Sequence, residues 1–326
     1  MVSEGLALEI DPLQTIIQMM VFPGIAFVMA LSLFLQWLNR KLYARLQNRY
    51  GPLHTGFAGI LQPLADFIKL LAKEDIEMRA VYKAPFRILP ILLLTIPLTA
   101  TMYIPMADPF SGIVGFEGDL VFVLFLLTLY AILVFLAAWS SGNPYSILGG
   151  VRTAVQLLGY EIPLAIVLLA PGIKAKTLSI RGIVEWQGLN LPFIIIQPLG
   201  FVVAIVGFMA ELEIVPFDIP EAKTELIAGW QTEFSGRKLA LIRLSRDVEL
   251  ALASSLIVAL FLGGPSGPLP FPPIVWFLAK IVAIVFIISN LRALFARFRI
   301  DQMIRGSWKL LLPIALLQVA LLLLIP

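Results

Sequence analysis

The sequence predicts an all-α polytopic membrane protein. It has about eight transmembrane helices and one interfacial amphipathic helix in the first cytoplasmic loop. Three observations predict this. Of 326 residues, 60% are hydrophobic and only 14% are charged, whereas soluble chains run about 45–50% apolar and about a quarter charged. The apolar residues fall into runs long enough to cross a bilayer, most of them free of charge. The runs are continuous rather than alternating, as the strands of a membrane barrel would be. The surplus apolar surface needs lipid or neighbouring membrane subunits around it. The whole chain, 1–326, reads as a single integral membrane domain.

The spans lie at about 16–38, 88–106, 120–140, 154–172, 193–212, 246–262, 273–294 and 309–325. Pro23, Pro97 and Pro163 fall inside three of them, which membrane helices tolerate when neighbours satisfy the freed backbone groups. No internal repeat is visible, which argues against an inverted-repeat transporter.

Charge sets the orientation. Twenty basic residues follow the odd-numbered spans, among them Arg40, Lys41, Arg49, Lys69, Arg152, Arg237, Lys238, Arg243, Arg246, Arg292 and Arg297. The opposite side carries only Lys174, Lys176 and Arg181. The positive-inside rule puts the basic loops in the cytoplasm of a cell-membrane protein, and an even number of spans then puts both termini outside. Glu4, Glu9, Asp11, Asp108, Glu117 and Asp119 fall outside, in keeping with this. The acidic N-terminus lacks the positive region of a cleavable signal peptide.

The first cytoplasmic loop contains residues 59–73, in which Gln62, Asp66, Lys69 and Lys73 recur at spacings of four, three and four. That spacing aligns them on one helical face. Ile60, Leu61, Leu64, Phe67, Ile68 and Leu71 cover the rest, the pattern of a helix lying in the membrane interface or against a partner.

Ionisable groups inside a span are costly and mark function. Glu161 lies in the fourth span, Glu211 and Glu213 end the fifth, and Lys280 sits midway along the seventh. An acidic cytoplasmic loop follows at about 211–245, carrying Glu211, Glu213, Asp218, Glu221, Glu225 and Glu233. Ile, Val, Phe, Leu and Trp thread it, and Pro216 and Pro220 stiffen it, so it reads as packed rather than solvated. Clustered carboxylates in a low-dielectric site cannot all ionise, and sharing protons suits a relay path. Salt bridges to Arg237, Lys238, Arg243 and Arg246 are the plainer alternative.

Other chemistry is excluded or missing. With no cysteine, the chain can build neither a disulfide nor a cysteine-ligated iron–sulfur cluster. With His54 as its sole histidine, it cannot hold a bis-histidine haem or a histidine-rich metal site. There is no phosphate loop, nucleophile elbow or zinc-protease motif. Any redox centre therefore belongs to another subunit.

Five blocks in order carry a family resemblance: Gln47-Asn-Arg-Tyr-Gly-Pro52; Leu61-Gln-Pro-Leu-Ala-Asp-Phe-Ile-Lys69 with Lys73-Glu74; Gly150-Val-Arg-Thr-Ala-Val-Gln156 with Tyr160-Glu161; Pro216-Phe-Asp-Ile-Pro-Glu221 through Gly229 and Thr232-Glu-Phe-Ser-Gly236; and Arg297-Phe-Arg-Ile-Asp-Gln302 with Trp308. Over nearly its whole length the chain resembles the NADH dehydrogenase subunit 1 family, the membrane subunit that docks the peripheral arm of respiratory complex I. The resemblance implies eight spans, an interfacial helix, and an acidic channel that couples a redox step in other subunits to ion pumping. It assigns Glu161, Glu211, Asp218, Glu221, Glu225 and Glu233 to that channel and loop. It assigns Arg49, Asp66, Lys69 and Arg152 to the surface that meets the arm and shapes the quinone cavity; Arg237 and Lys238 join that docking surface.

Two departures qualify it. Quinone-reducing members usually read Ala-Glu-x-Asn-Arg-Ala before Pro-Phe-Asp, where this chain has Ala210-Glu-Leu-Glu213-Ile214-Val215. After Ser-Gly the chain continues Arg237-Lys-Leu-Ala-Leu-Ile-Arg243-Leu-Ser-Arg246-Asp-Val-Glu249, which looks like archaeal-type membrane-bound [NiFe] hydrogenases and sulfane reductases. The leading expectation is thus a non-catalytic membrane anchor of such a complex, translocating H+ or Na+. Its partners would be hydrogenase-large-subunit-like and iron–sulfur subunits, antiporter-like and small membrane subunits, and lipid, with no nucleic acid. The chain would hold no cofactor of its own, the iron–sulfur clusters and nickel–iron centre (or a quinone) residing in partners. A quinone- or phenazine-reducing complex I subunit is the alternative, and a stand-alone ion transporter the second. A tunnel between spans one and six would favour the quinone.

Overall fold

The computed structural model describes residues 17–107, 115–268 and 270–324. Glu4, Glu9, Asp11, Asp108 and the termini lie outside the described residues. Among the described residues, six helices are long and apolar enough to cross a membrane, and a shorter apolar helix joins them. The chain is a polytopic helical membrane protein.

The first crossing runs over 17–46, interrupted by a turn at Pro23-Gly24, with helix α1 at Ile25–Leu46. It buries Val28, Leu31, Ser32, Leu35 and Asn39. Steps of three and four place these in one stripe, leaving the other faces for lipid or a partner. Helix α2, Gln62–Ala72, follows a short turn at Phe57–Gly59. It buries only Pro63 and Leu70, while Leu64, Ile68 and Leu71 are exposed opposite its polar face. Helices α3 (Lys83–Thr101) and α4 (Asp119–Ser140) match the second and third spans.

Helix α5, Pro144–Ala175, has 32 residues, about 48 Å at 1.5 Å per residue. It therefore overruns a hydrocarbon layer of about 30 Å. Asn143 caps its start, its side chain accepting from the Tyr145 N–H at 2.8 Å. The fourth span, expected at 154–172, thus gains residues at each end, and Arg152 lies inside a helix instead of flanking one.

The fifth span is broken. A short turn of helix at Phe193–Ile196 gives way at Gln197 to α7, Pro198–Glu211, after helix α6 at Ile180–Leu189. Pro198 has no N–H to continue the ladder.

Helix α8 runs from Gly236 to Phe261. Hydropathy places the sixth span at 246–262, so the helix adds ten residues at its N-terminal end. It packs against α1, α2, α3 and α9 (Pro273–Leu294). Every residue from 248 to 261 is buried. With protein on all sides, α8 can carry charges that a lipid-facing helix could not. The last crossing is α10 (Ile300–Gly306), a π-helical turn at Ser307–Leu311, and α11 (Leu312–Leu324).

Candidate functional site: three cavities in series

The acidic loop is folded against the start of α5 and the start of α8. Trp230 and Phe234 anchor it, with Phe234 stacked on Phe86 of α3 at 4.4 Å between ring centres. Gly229 sits at φ 59°, where a Cβ would come within 2.2 Å of the Pro220 carbonyl oxygen. No residue with a side chain fits that approach. Gln156 on α5 donates to the carbonyls of Ala210 (2.7 Å) and Phe217 (3.0 Å), tying the end of α7 to the loop.

Three spaces lie in order from the side of the basic loops. The first is a chamber of about 500 Å³ between α1, the acidic loop, α8 and α9. Its walls hold Arg40, Arg243, Arg246 and Arg292 against Glu213, Asp218, Glu221 and Asp247. The second is a cavity of about 10 Å³ bounded by Thr153, Gln156, Glu211, Glu213, Arg246 and Glu249. The third, about 30 Å³, is lined by Thr128, Glu161 and Glu211 among apolar side chains. The inner two each match the room that one or two waters need. The chamber and the second cavity share Glu213 and Arg246, and the second and third share Tyr160 and Glu211. Each partition between spaces is therefore made of titratable groups.

The partners of these groups are specific. Arg246 donates to Glu213 at 2.7 Å and also to Glu221. Glu213 further accepts from Thr153 (2.8 Å) and the Trp230 indole (3.2 Å). Gln231 donates to Glu221 at 2.8 Å. Thr128 donates to Glu161. Oε1 of Glu249 and Oε1 of Gln156 are buried without a hydrogen-bond partner, places where cavity water would be held.

The expected site residues fall into groups. Glu161, Glu211 and Glu213 line the series directly. Asp218 and Glu221 line the chamber, Glu221 held by Arg246, while Asp218 and Glu225 come together under Arg152 and Arg297. Arg152 donates to Glu225 (2.7 Å), and Arg297 pairs with Asp218 (3.5 Å) and Glu225 (3.8 Å). Both also reach the Ile219 carbonyl. The hydrogen bond from Arg152 holds the Glu225 carboxyl below the usual carboxylate range. Glu233 stands apart, accepting from Asn143 at the start of α5. Lys280 does not join the acids. Its ammonium donates to the carbonyls of Leu262, Gly264 and Ser266 beyond the far end of α8.

The docking set also divides. Arg49, Lys69 and Arg237 are exposed. Asp66 lies on the polar face of α2 and accepts from Arg40 at 2.7 Å and Gln62 at 2.9 Å. Burial pushes its carboxyl up, but those two donors win and leave it below its ordinary value. Arg152 turns inward onto the loop. Lys238 is buried and pairs with Glu77 at 2.8 Å and with Asp75, latching the segment before α3 to α8. Of the four cations that the salt-bridge alternative names, Arg246 pairs with acids of the loop, whereas Lys238 takes Asp75 and Glu77, Arg237 is exposed and Arg243 lines the chamber.

Glu249 and Asp247 also line these spaces, and sequence reasoning passes over both. The available signal is the run Arg246-Asp-Val-Glu249 at the head of a long uncharged stretch, whose charges cannot all be a loop's.

A family model described as NADH dehydrogenase matches residues 17–323. The chain belongs to the NADH dehydrogenase family. Its relatives are named as subunits of NADH-quinone oxidoreductase. One from Dehalococcoides mccartyi strain CBDB1 is 41% identical over 89% of this chain and 81% of that protein. Another, from Syntrophobacter fumaroxidans, is 36% identical over 90% of this chain and 91% of its own length. A third, from Syntrophotalea carbinolica, is 35% identical over 95% and 96%. These relatives are bacterial, whereas the 237–249 segment leads to the expectation of an archaeal type. Glu213 and Arg246, one in each of the two segments that depart from the usual pattern, are partners of one another.

Proposed function

We propose that this chain is the membrane anchor and ion-path subunit of a complex I-related respiratory complex, with its basic loops cytoplasmic. The observation that carries the reading is the series of three spaces whose shared walls are Glu213–Arg246 and Glu211–Tyr160, ending at Glu161. A path for H+ or Na+ needs polar groups at intervals across a low-dielectric medium, and intramembrane carboxylates are too costly to serve otherwise. Asp218, Glu221 and Glu225 form the mouth on the side where a soluble arm would dock, and Glu233 braces the loop. Exposed Arg49, Lys69 and Arg237 are the docking contacts. The iron–sulfur clusters and acceptor chemistry belong to arm subunits, and antiporter-like and small membrane subunits cover the lipid-facing helices.

Two readings of the electron acceptor each have an observation in favour. The chamber lies between spans one and six, and relatives carry quinone in their names, which favours a quinone. The Glu213–Arg246 pair, which lies in the two departing segments, and the charged chamber walls, poorly suited to an isoprenoid tail, favour the hydrogenase or sulfane reductase type. The experiment purifies the complex through this chain, identifies its subunits by mass spectrometry, and assays quinone reduction, hydrogen evolution and sulfane reduction. Hydrogen or sulfide production with a nickel-binding or sulfur-reducing large subunit supports the second reading. Inhibitor-sensitive quinone reduction supports the first. Purification of the chain alone, with no redox partner, would overturn the anchor reading.

A further inference from the structure

Helix α8 ends in a built cage. Leu262 and Gly264 both donate backbone N–H groups to the Val258 carbonyl, at 3.1 and 2.9 Å. Gly263 and Gly264 take φ 72° and 55°, a left-handed turn that glycine adopts without a Cβ penalty. The turn curls the chain back and aims three carbonyls at one point. Lys280 of α9 fills that point, with Nζ 2.7 Å from Leu262 O, 2.9 Å from Gly264 O and 2.6 Å from Ser266 O. An ammonium has three N–H donors, and all three are used. Among the described residues, no carboxylate takes part. The charge is met by backbone dipoles at a helix C-terminus, where a cation is favoured.

Trp276, one turn before Lys280 on α9, donates to the Pro268 carbonyl at 2.9 Å and braces the same loop. Gln187 of α6 donates to the Ala259 carbonyl at 2.9 Å, fixing the last turn of α8 from the other side. Carbonyls converging on one point are also what holds a bare monovalent cation in proteins. We propose that residues 262–266 form a monovalent-cation site whose native occupant is the Lys280 ammonium, and that Lys280 acts as the pin joining α8 to α9 rather than as a member of the ion path. The proposal does not rest on the ion-path reading and survives its failure.

Removing the side chain should leave a site for an external cation. The full chain, purified in its complex, is prepared as Lys280→Ala and Lys280→Met, and thermal unfolding is followed with methylammonium chloride or, at equal ionic strength, choline chloride. Choline has no N–H to donate and is too large for the cage. Lys280→Ala should melt several degrees below the wild type, and methylammonium should recover at least half of the loss while choline recovers none. Lys280→Met, whose side chain fills the route to the cage, should melt low and resist recovery. If Lys280→Ala fails to assemble, methylammonium supplied during assembly should restore it. An unshifted Lys280→Ala, equal recovery by choline and methylammonium, or no recovery by either would overturn the proposal.

Discussion

Arg246→Met tests the partition between the chamber and the second cavity. The change keeps the side chain's bulk but removes the charge that Glu213 and Glu221 share. The Glu213 side chain is only 7% exposed, so it would be left as a buried carboxylate with Thr153 and Trp230 as its remaining donors. Breaking a buried pair by removing one partner costs about 3–5 kcal/mol, because the other charge stays desolvated. Glu221, at 24% exposure and still bonded to Gln231, adds little to this. Adding Glu213→Gln removes the stranded charge, so the double variant should recover more than half of the loss. The assay is unfolding of the purified complex in mixed micelles for the wild type, both single variants and the double variant. A coupling of at least about 1 kcal/mol is expected for groups in one network. Strictly additive losses, or an Arg246→Met variant within about 0.5 kcal/mol of the wild type, would refute the pairing as a structural element.

Three further outcomes are expected. Gly229→Ala drives a methyl into the Pro220 carbonyl at a left-handed position, so the acidic loop should lose its seat, read as faster proteolysis between residues 216 and 235. Arg49→Ala should weaken retention of the soluble arm on salt washing, because an exposed basic loop residue has its partner outside the chain; normal co-purification would count against this. The Glu77 carboxyl is held down to about 2 by hydrogen bonds from Arg87 and Lys238. Its ordinary value is 4.5, so the latch to α8 keeps its full strength above that pH and loses it only as pH falls from 4.5 towards 2. Hydrogen exchange at residues 74–80 should therefore be unchanged between pH 7 and 5 once corrected for intrinsic rate, and Lys238→Met should raise it at both.

Much of the fold is legible in the sequence because membrane insertion writes itself into hydropathy. Each expected span has a helix beneath it, and the polar face of α2 follows from spacings of four, three and four. The legible part ends where burial is by protein rather than lipid. Arg246 reads as one of the loop cations, yet it lies inside α8, since a helix enclosed by α1, α2, α3 and α9 need not be apolar at its start. Lys280 reads as an intramembrane charge and hence as an ion-path residue. Three backbone carbonyls, which no side-chain pattern encodes, give it another partner. Arg152 and Lys238 read as docking cations, but their acids come from segments 73 and 161 or more residues away. The clustering of the acids stands out in the sequence; their order comes only from the walls that the cavities share.

That order is most directly tested at Glu211, which stands between the second and third cavities. Inside-out vesicles carrying the complex with Glu211→Gln are compared with the wild type for ions moved per electron transferred. The account predicts a ratio reduced at least tenfold in a fully assembled complex. An unchanged ratio would contradict it.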